Sequence, residues 1–108
     1  MKVIKTICRM MRTAKNRYEA NPTKPGYAYM RRFGNDVYSL HYDKSYVHLY
    51  HYGTLTLKFS LMENRIAYYY GESISDRDSM NTALYALDYD AEFFRYSKYK
   101  DGVYLTTE

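Results

Sequence analysis

The densest set of chemically capable side chains lies in residues 36–52, DVYSLHYDKSYVHLYHY, where His41, Asp43, His48 and His51 sit among tyrosines. If Lys44 and Ser45 form a two-residue hairpin loop, Asp43 pairs with Tyr46, Tyr42 with Val47 and His41 with His48. Directly opposed residues of antiparallel strands share a face, with Cβ atoms about 4.5–5.5 Å apart. Asp43 belongs to that face too, two residues from His41. Two imidazoles and a carboxylate so placed form a candidate site for Zn2+ or another divalent ion, with a coordination position left open. A one-residue slip would disperse them. His51 falls on the opposite face in this register and adds no fourth ligand. The competing assignment is plainer: histidines on a tyrosine-rich sheet serve as hydrogen-bonding or surface residues.

Other catalytic chemistry finds little support. No His-Glu-x-x-His, Gly-x-Ser-x-Gly or glycine-rich phosphate loop occurs in the chain. The single cysteine, Cys8, has basic neighbours that would favour its thiolate. Its place on the apolar stripe of a helix predicts a small buried residue instead. Asp76 and Asp78 are placed to cap a helix rather than to work as an acid–base pair. The chain is expected not to be an enzyme.

The elements that position these groups follow from periodicity. Residues 2–19 predict a basic amphipathic helix: Ile4, Ile7, Cys8, Met11, Ala14 and Tyr18 recur at spacings of three and four. Lys2, Lys5, Arg9 and Arg12 share the opposite side, with Lys15 and Arg17 flanking. Asn21-Pro22 and Pro25-Gly26 stop the helix. Strands are predicted over 27–33, 36–43, 45–52, 54–61 and 65–70. The fourth has the cleanest period of two, with Leu55, Leu57, Phe59 and Leu61 inward and Thr54, Thr56, Lys58 and Ser60 outward. A second helix starts near Ser75, capped through Asp78, with Met80, Ala83, Leu84 and Leu87 on its buried stripe. Residues 91–97 and 102–108 predict a hairpin about Lys100-Asp101-Gly102. One domain over residues 1–108 results, of α+β class. A twisted antiparallel sheet of about five to seven strands packs with two helices.

Composition narrows the function classes. Sixteen tyrosines and no tryptophan place many rings half-exposed on sheet faces, surfaces suited to recognition. Residues 1–32 carry nine Lys and Arg against the single acid Glu19, whereas the rest holds seven bases and eleven acids. Such asymmetry points to a partner with an acidic surface. No apolar run approaches the roughly 18 residues of a bilayer span, and the basic N-terminus lacks a secretory core. A soluble protein of a reducing bacterial cytoplasm is expected.

Two stretches, HYGT (His51 to Thr54) and YYGESISDRDSMNTAL (Tyr69 to Leu84), resemble a small domain of unknown function frequent in phage and plasmid genomes of Gram-positive bacteria. The likeness covers about residues 35–87. Its matching positions Gly53, Gly71, Ser75, Asp76, Asp78 and Asn81 imply turns, a helix cap and a buried amide, and it brings no catalytic residues. The resemblance implies the company of anti-CRISPR inhibitors: short, single-domain, cytosolic, mostly non-enzymatic proteins that bind Cas nucleases. The leading expectation is therefore stoichiometric binding to a host protein, a Cas nuclease first among targets, as monomer or homodimer. Arg9, Arg12, Lys15, Arg17, Arg31 and Arg32 would meet its acidic surface, and exposed tyrosines would anchor it. The alternatives are a single-stranded nucleic-acid-binding protein, using the basic helix beside sheet tyrosines, and a zinc-binding module at His41, Asp43 and His48.

Overall fold

The computed structural model of the chain describes residues 2–20, 26–35, 37–94 and 104–106. Its elements are α1 (Lys2–Ala20), β1 (Gly26–Phe33), β2 (Tyr38–Lys44), β3 (Tyr46–His51), β4 (Thr54–Ser60), β5 (Arg65–Tyr69), α2 (Ile74–Ala86), β6 (Glu92–Phe94) and β7 (Tyr104–Thr106). The first five strands form one antiparallel meander in sequential order, and β6 pairs with β7 in a separate ribbon. The fold is α+β, as the run of strands between two helical patterns predicts.

Both helices pack on one face of the sheet. The core joins Ile7, Met10, Met11 and Ala14 of α1 with Met80, Ala83, Leu84 and Ala86 of α2. Beneath them lie Leu40, Tyr42, Val47, Leu49, Leu57 and Phe59 of the three central strands. Of the predicted α1 stripe Ile7, Met11 and Ala14 enter the core and Met10 joins them, while Ile4 and Tyr18 are only partly buried. Cys8 is only partly buried at its margin, not wholly inside. Register decides which residues join. In β2 and β3 the pairing is the expected one, His41 opposite His48 and Asp43 opposite Tyr46.

The period of two in β4 does not survive intact. A bulge at Thr56 puts Leu57 opposite Leu49 but Leu55 opposite Tyr50. An extra residue reverses the side of everything beyond it, so Leu55 shares Tyr50's face, away from the core. Thr56, at the bulge, is buried, and so is Ser60, although it keeps the open side opposite Tyr46. Hydroxyl bonds make this tolerable: Thr56 donates to the Leu49 carbonyl at 3.0 Å, and Ser60 accepts from the Glu63 amide at 3.1 Å.

The second helix begins two residues earlier than expected. Its N-cap is Ser73, not Ser75. The Ser73 hydroxyl accepts the Asp76 amide at 3.0 Å, while the Asp76 carboxylate accepts the amides of Ser73 and Glu72. This is a full capping box with Asp at its third position. Asp78 instead lies on the outside against Arg77. At the far end Asp88 takes a left-handed conformation (φ 56°). The Asp88 amide donates to the Tyr85 carbonyl and the Tyr89 amide to that of Leu84, closing the last turn.

β6 is fastened to α2 by one side chain. The Asn81 amide donates to the Phe93 carbonyl at 3.0 Å and accepts the Phe93 amide at 2.7 Å, as a neighbouring strand would. The amide expected to be buried is only partly so, and it acts as a clamp that seats Phe93 in the core. The predicted turn at Lys100-Asp101-Gly102 and the stop at Asn21-Pro22 lie outside the described residues.

Candidate functional site

The two stretches HYGT and YYGESISDRDSMNTAL meet in space at a histidine–aspartate pair. His51 ends β3, and its Nδ1 lies 2.5 Å from Asp76 Oδ1 at the start of α2. The imidazole is stacked between Tyr38 (centroids 4.4 Å apart, planes 3° apart) and Tyr52 (4.8 Å). Phe33 continues the stack beyond Tyr38. Tyr52 and Gly53 form a two-residue turn with φ of 53° and 79°. Such turns favour Asn-Gly, because both central residues are left-handed. Tyrosine pays for that conformation, yet it sits here 74% exposed, its ring laid on His51.

An aspartate that fixes an imidazole is the arrangement used for general-base chemistry. Here both carboxylate oxygens of Asp76 are spent, one on His51 and the other on the helix cap. Burial pushes the Asp76 carboxyl up, but hydrogen bonds from the Glu72 amide, His51 and the Ser73 amide outweigh it and hold the carboxyl below its ordinary range. The imidazole is 9% exposed between its flanking rings. The nearby Ser79 hydroxyl is buried and donates to the Asp76 carbonyl at 2.9 Å. The pair works as a latch between sheet and helix. Sequence reading places His51 and Asp76 separately, and no local spacing joins residues 25 apart.

His41 and His48 do come together on the other face, ring centroids 5.2 Å apart. His48 Nδ1 lies 3.2 Å from the His41 carbonyl, which accepts its proton, so that nitrogen is spent. Among the described residues no three His, Cys, Asp or Glu side chains are grouped to hold a metal ion. Asp43 shares this face, opposite Tyr46 and two residues along the strand from His41. His48 belongs to a row of rings along the central strand, Tyr46, His48 and Tyr50, with successive centroids 6.4 Å apart. Burial pushes the His48 imidazole below its ordinary value, against a smaller upward pull from the His41 carbonyl.

The cations expected to act together are divided. Arg9, Arg12 and Arg17 are exposed on α1. Lys15 is not available to a partner: its ammonium donates to Asp88 at 2.9 Å and to the Leu87 carbonyl at 3.2 Å, capping the end of α2. A cation at a helix C-terminus is favoured there by the dipole. No local pattern foretells this contact, which joins residues 73 apart. Arg31 and Arg32 are both exposed, but they point to opposite sides of the sheet. Arg31 pairs with the core residue Leu40, and Arg32 with Ser39 on the open face. The row of sheet rings and the basic helix likewise lie on opposite sides, so they do not form one nucleic-acid surface.

A groove of about 750 Å3 opens between α1, α2 and β6, lined among others by Lys5, Cys8, Tyr85, Tyr89, Asp90 and Phe94. Tyr85 is 70% exposed at its rim, with the Arg12 guanidinium 5.6 Å from its ring centroid. In comparisons with protein-family models, curated proteins and solved structures, nothing matched the chain.

Proposed function

We propose that the protein is a non-enzymatic binding protein that docks on an acidic macromolecular surface through the cationic side of α1 and acts by occupying that surface. The observation that carries this reading is the exposed Arg12–Tyr85 pair at the rim of the groove. Lys5, Arg9 and Arg12 fall at spacings of four and three, so they form one stripe along the helix bordering the groove. Arg9 makes no ion pair with a described residue. Arginine and tyrosine beside a partly apolar cleft are the residue types that dominate protein interfaces. Asp90 and Glu92 on the far wall give the groove a second sign of charge, which orients a partner.

The resemblance to small phage and plasmid domains supplies the narrowest form of this reading, an anti-CRISPR protein that binds and blocks a Cas nuclease. The test is a DNA-cleavage assay with a purified Cas nuclease and guide, titrated with this protein. Cleavage should stop near equimolar protein, and Arg9→Glu with Arg12→Glu should restore it while the circular dichroism spectrum stays unchanged. Full cleavage at large excess would remove the Cas target. Inhibition indifferent to the charge reversal would remove α1 from the binding surface.

A further inference from the structure

The uncovered face of the sheet is a separate surface that the docking of α1 leaves unused. We infer that it is a binding site for single-stranded nucleic acid, formed by the ring row of β3 and the cations on either side of it. Register sets out the face as rows across the strands: Arg32, Ser39, Tyr50 and Leu55 in one, and His41, His48, Lys58 and Tyr68 in the next. Neither helix contributes to this side, since the described core residues all point the other way.

Three features select the occupant. First, Tyr46, His48 and Tyr50 stand at alternate positions of the middle strand, with His48 and Tyr50 within 16° of parallel. An evenly spaced row of rings matches successive unstacked bases, each of which has a face to stack. Second, cations flank the row on both sides, Arg32 on β1 and Lys58 on β4, where a backbone running along the rings would lay its phosphates. Lys58 already lies 4.7 Å from the Tyr46 ring centroid. Arg65 is held by Glu63 and adds little. The carboxylate of Asp43 lies opposite Tyr46 at the hairpin end of the row, so phosphates would lie toward Arg32 and Lys58 and away from it. Third, the lowered pKa keeps His48 an uncharged ring at neutral pH, which suits it to stacking in the middle of the row.

Stacking and charge carry the contact, so binding should be tolerant of sequence. With two phosphate contacts, the logarithm of affinity should fall with the logarithm of salt at a slope of about −1.4.

Fluorescence anisotropy decides the matter, using the full chain and labelled oligo-dT or oligo-U of about ten nucleotides. Tyr50→Ala should weaken binding by about five-fold or more, while Tyr50→Phe keeps it. Lys58→Gln should reduce the salt slope by about 0.7. Arg9→Glu with Arg12→Glu, on the far side of the molecule, should leave affinity unchanged, which separates this site from the docking surface. No anisotropy change at low salt overturns the inference and leaves the face to a protein. Equal affinity for duplex DNA, or loss of binding on reversing α1 alone, overturns it as well.

Discussion

His51 and Asp76 show how two ordinary residues acquire a joint role once they are opposed. The carboxylate accepts from the imidazole and from two amides at the helix start, so its ionised form is favoured in the folded protein. A carboxyl whose folded pKa lies below its unfolded value stabilises the fold above the unfolded pKa. That contribution fades as pH falls through the lower, folded one. Stability should therefore drop on acidification below the ordinary carboxylate range, and Asp76→Asn should both lower stability at neutral pH and flatten the acid limb. Urea unfolding across pH provides the measurement. Parallel acid limbs in the two proteins would deny Asp76 its part. Tyr52 offers a second check. In most type I′ turns Tyr→Asn would raise stability, since Asn tolerates the left-handed conformation. Because the ring covers His51, we expect Tyr52→Asn to give no gain, and a clear rise in Tm would show that the stack contributes nothing.

At the scale of elements, α2 is held at both ends by groups outside its own apolar stripe. Ser73→Ala should cost roughly 1 kcal/mol by removing the cap. Ser75→Ala, at the exposed second residue of the helix, should be nearly neutral. Equal losses would move the helix start back to Ser75. At the other end, Lys15→Met should destabilise the α1–α2 junction rather than weaken partner binding. Denaturation and partner affinity, measured on the same variant, separate those outcomes. Asn81 is the sole side chain among the described contacts that hydrogen-bonds both backbone groups of Phe93. Removing it with Asn81→Ala leaves two polar groups beside a buried ring without partners, an expense of about 1–3 kcal/mol each where water stays out. Faster hydrogen exchange at the Phe93 amide would register it; unchanged protection would show that β7 alone holds β6.

The whole molecule is a sheet with helices on one side, and this divides its charge between two surfaces. Arginines on the outer side of α1 flank the groove, while Arg32 and Lys58 flank the ring row behind the sheet. A single variant pair probes both. Reversal at Arg9 and Arg12 should act on protein docking alone, and Tyr50→Ala on nucleic-acid binding alone. Loss of nucleic-acid binding on the α1 reversal would overturn the sheet site, and loss of docking in Tyr50→Ala would extend the protein interface to the open face. No described helix is long and apolar enough to cross a membrane.

The periods of the chain by themselves determined the order of elements, the β2–β3 register and most of the α1 stripe. Each of these depends on neighbours within a few residues, where spacing and turn chemistry suffice. The tertiary structure alone decided the bulge that turns Leu55 outward, the cap at Ser73, the capture of Lys15 by Asp88 and the meeting of His51 with Asp76. Those outcomes depend on which distant backbone lies alongside, and a polar side chain bonds whatever partner packing brings within reach. The same cause split the basic residues: a strand sends neighbouring side chains to opposite faces, so Arg31 and Arg32, adjacent in sequence, serve different surfaces.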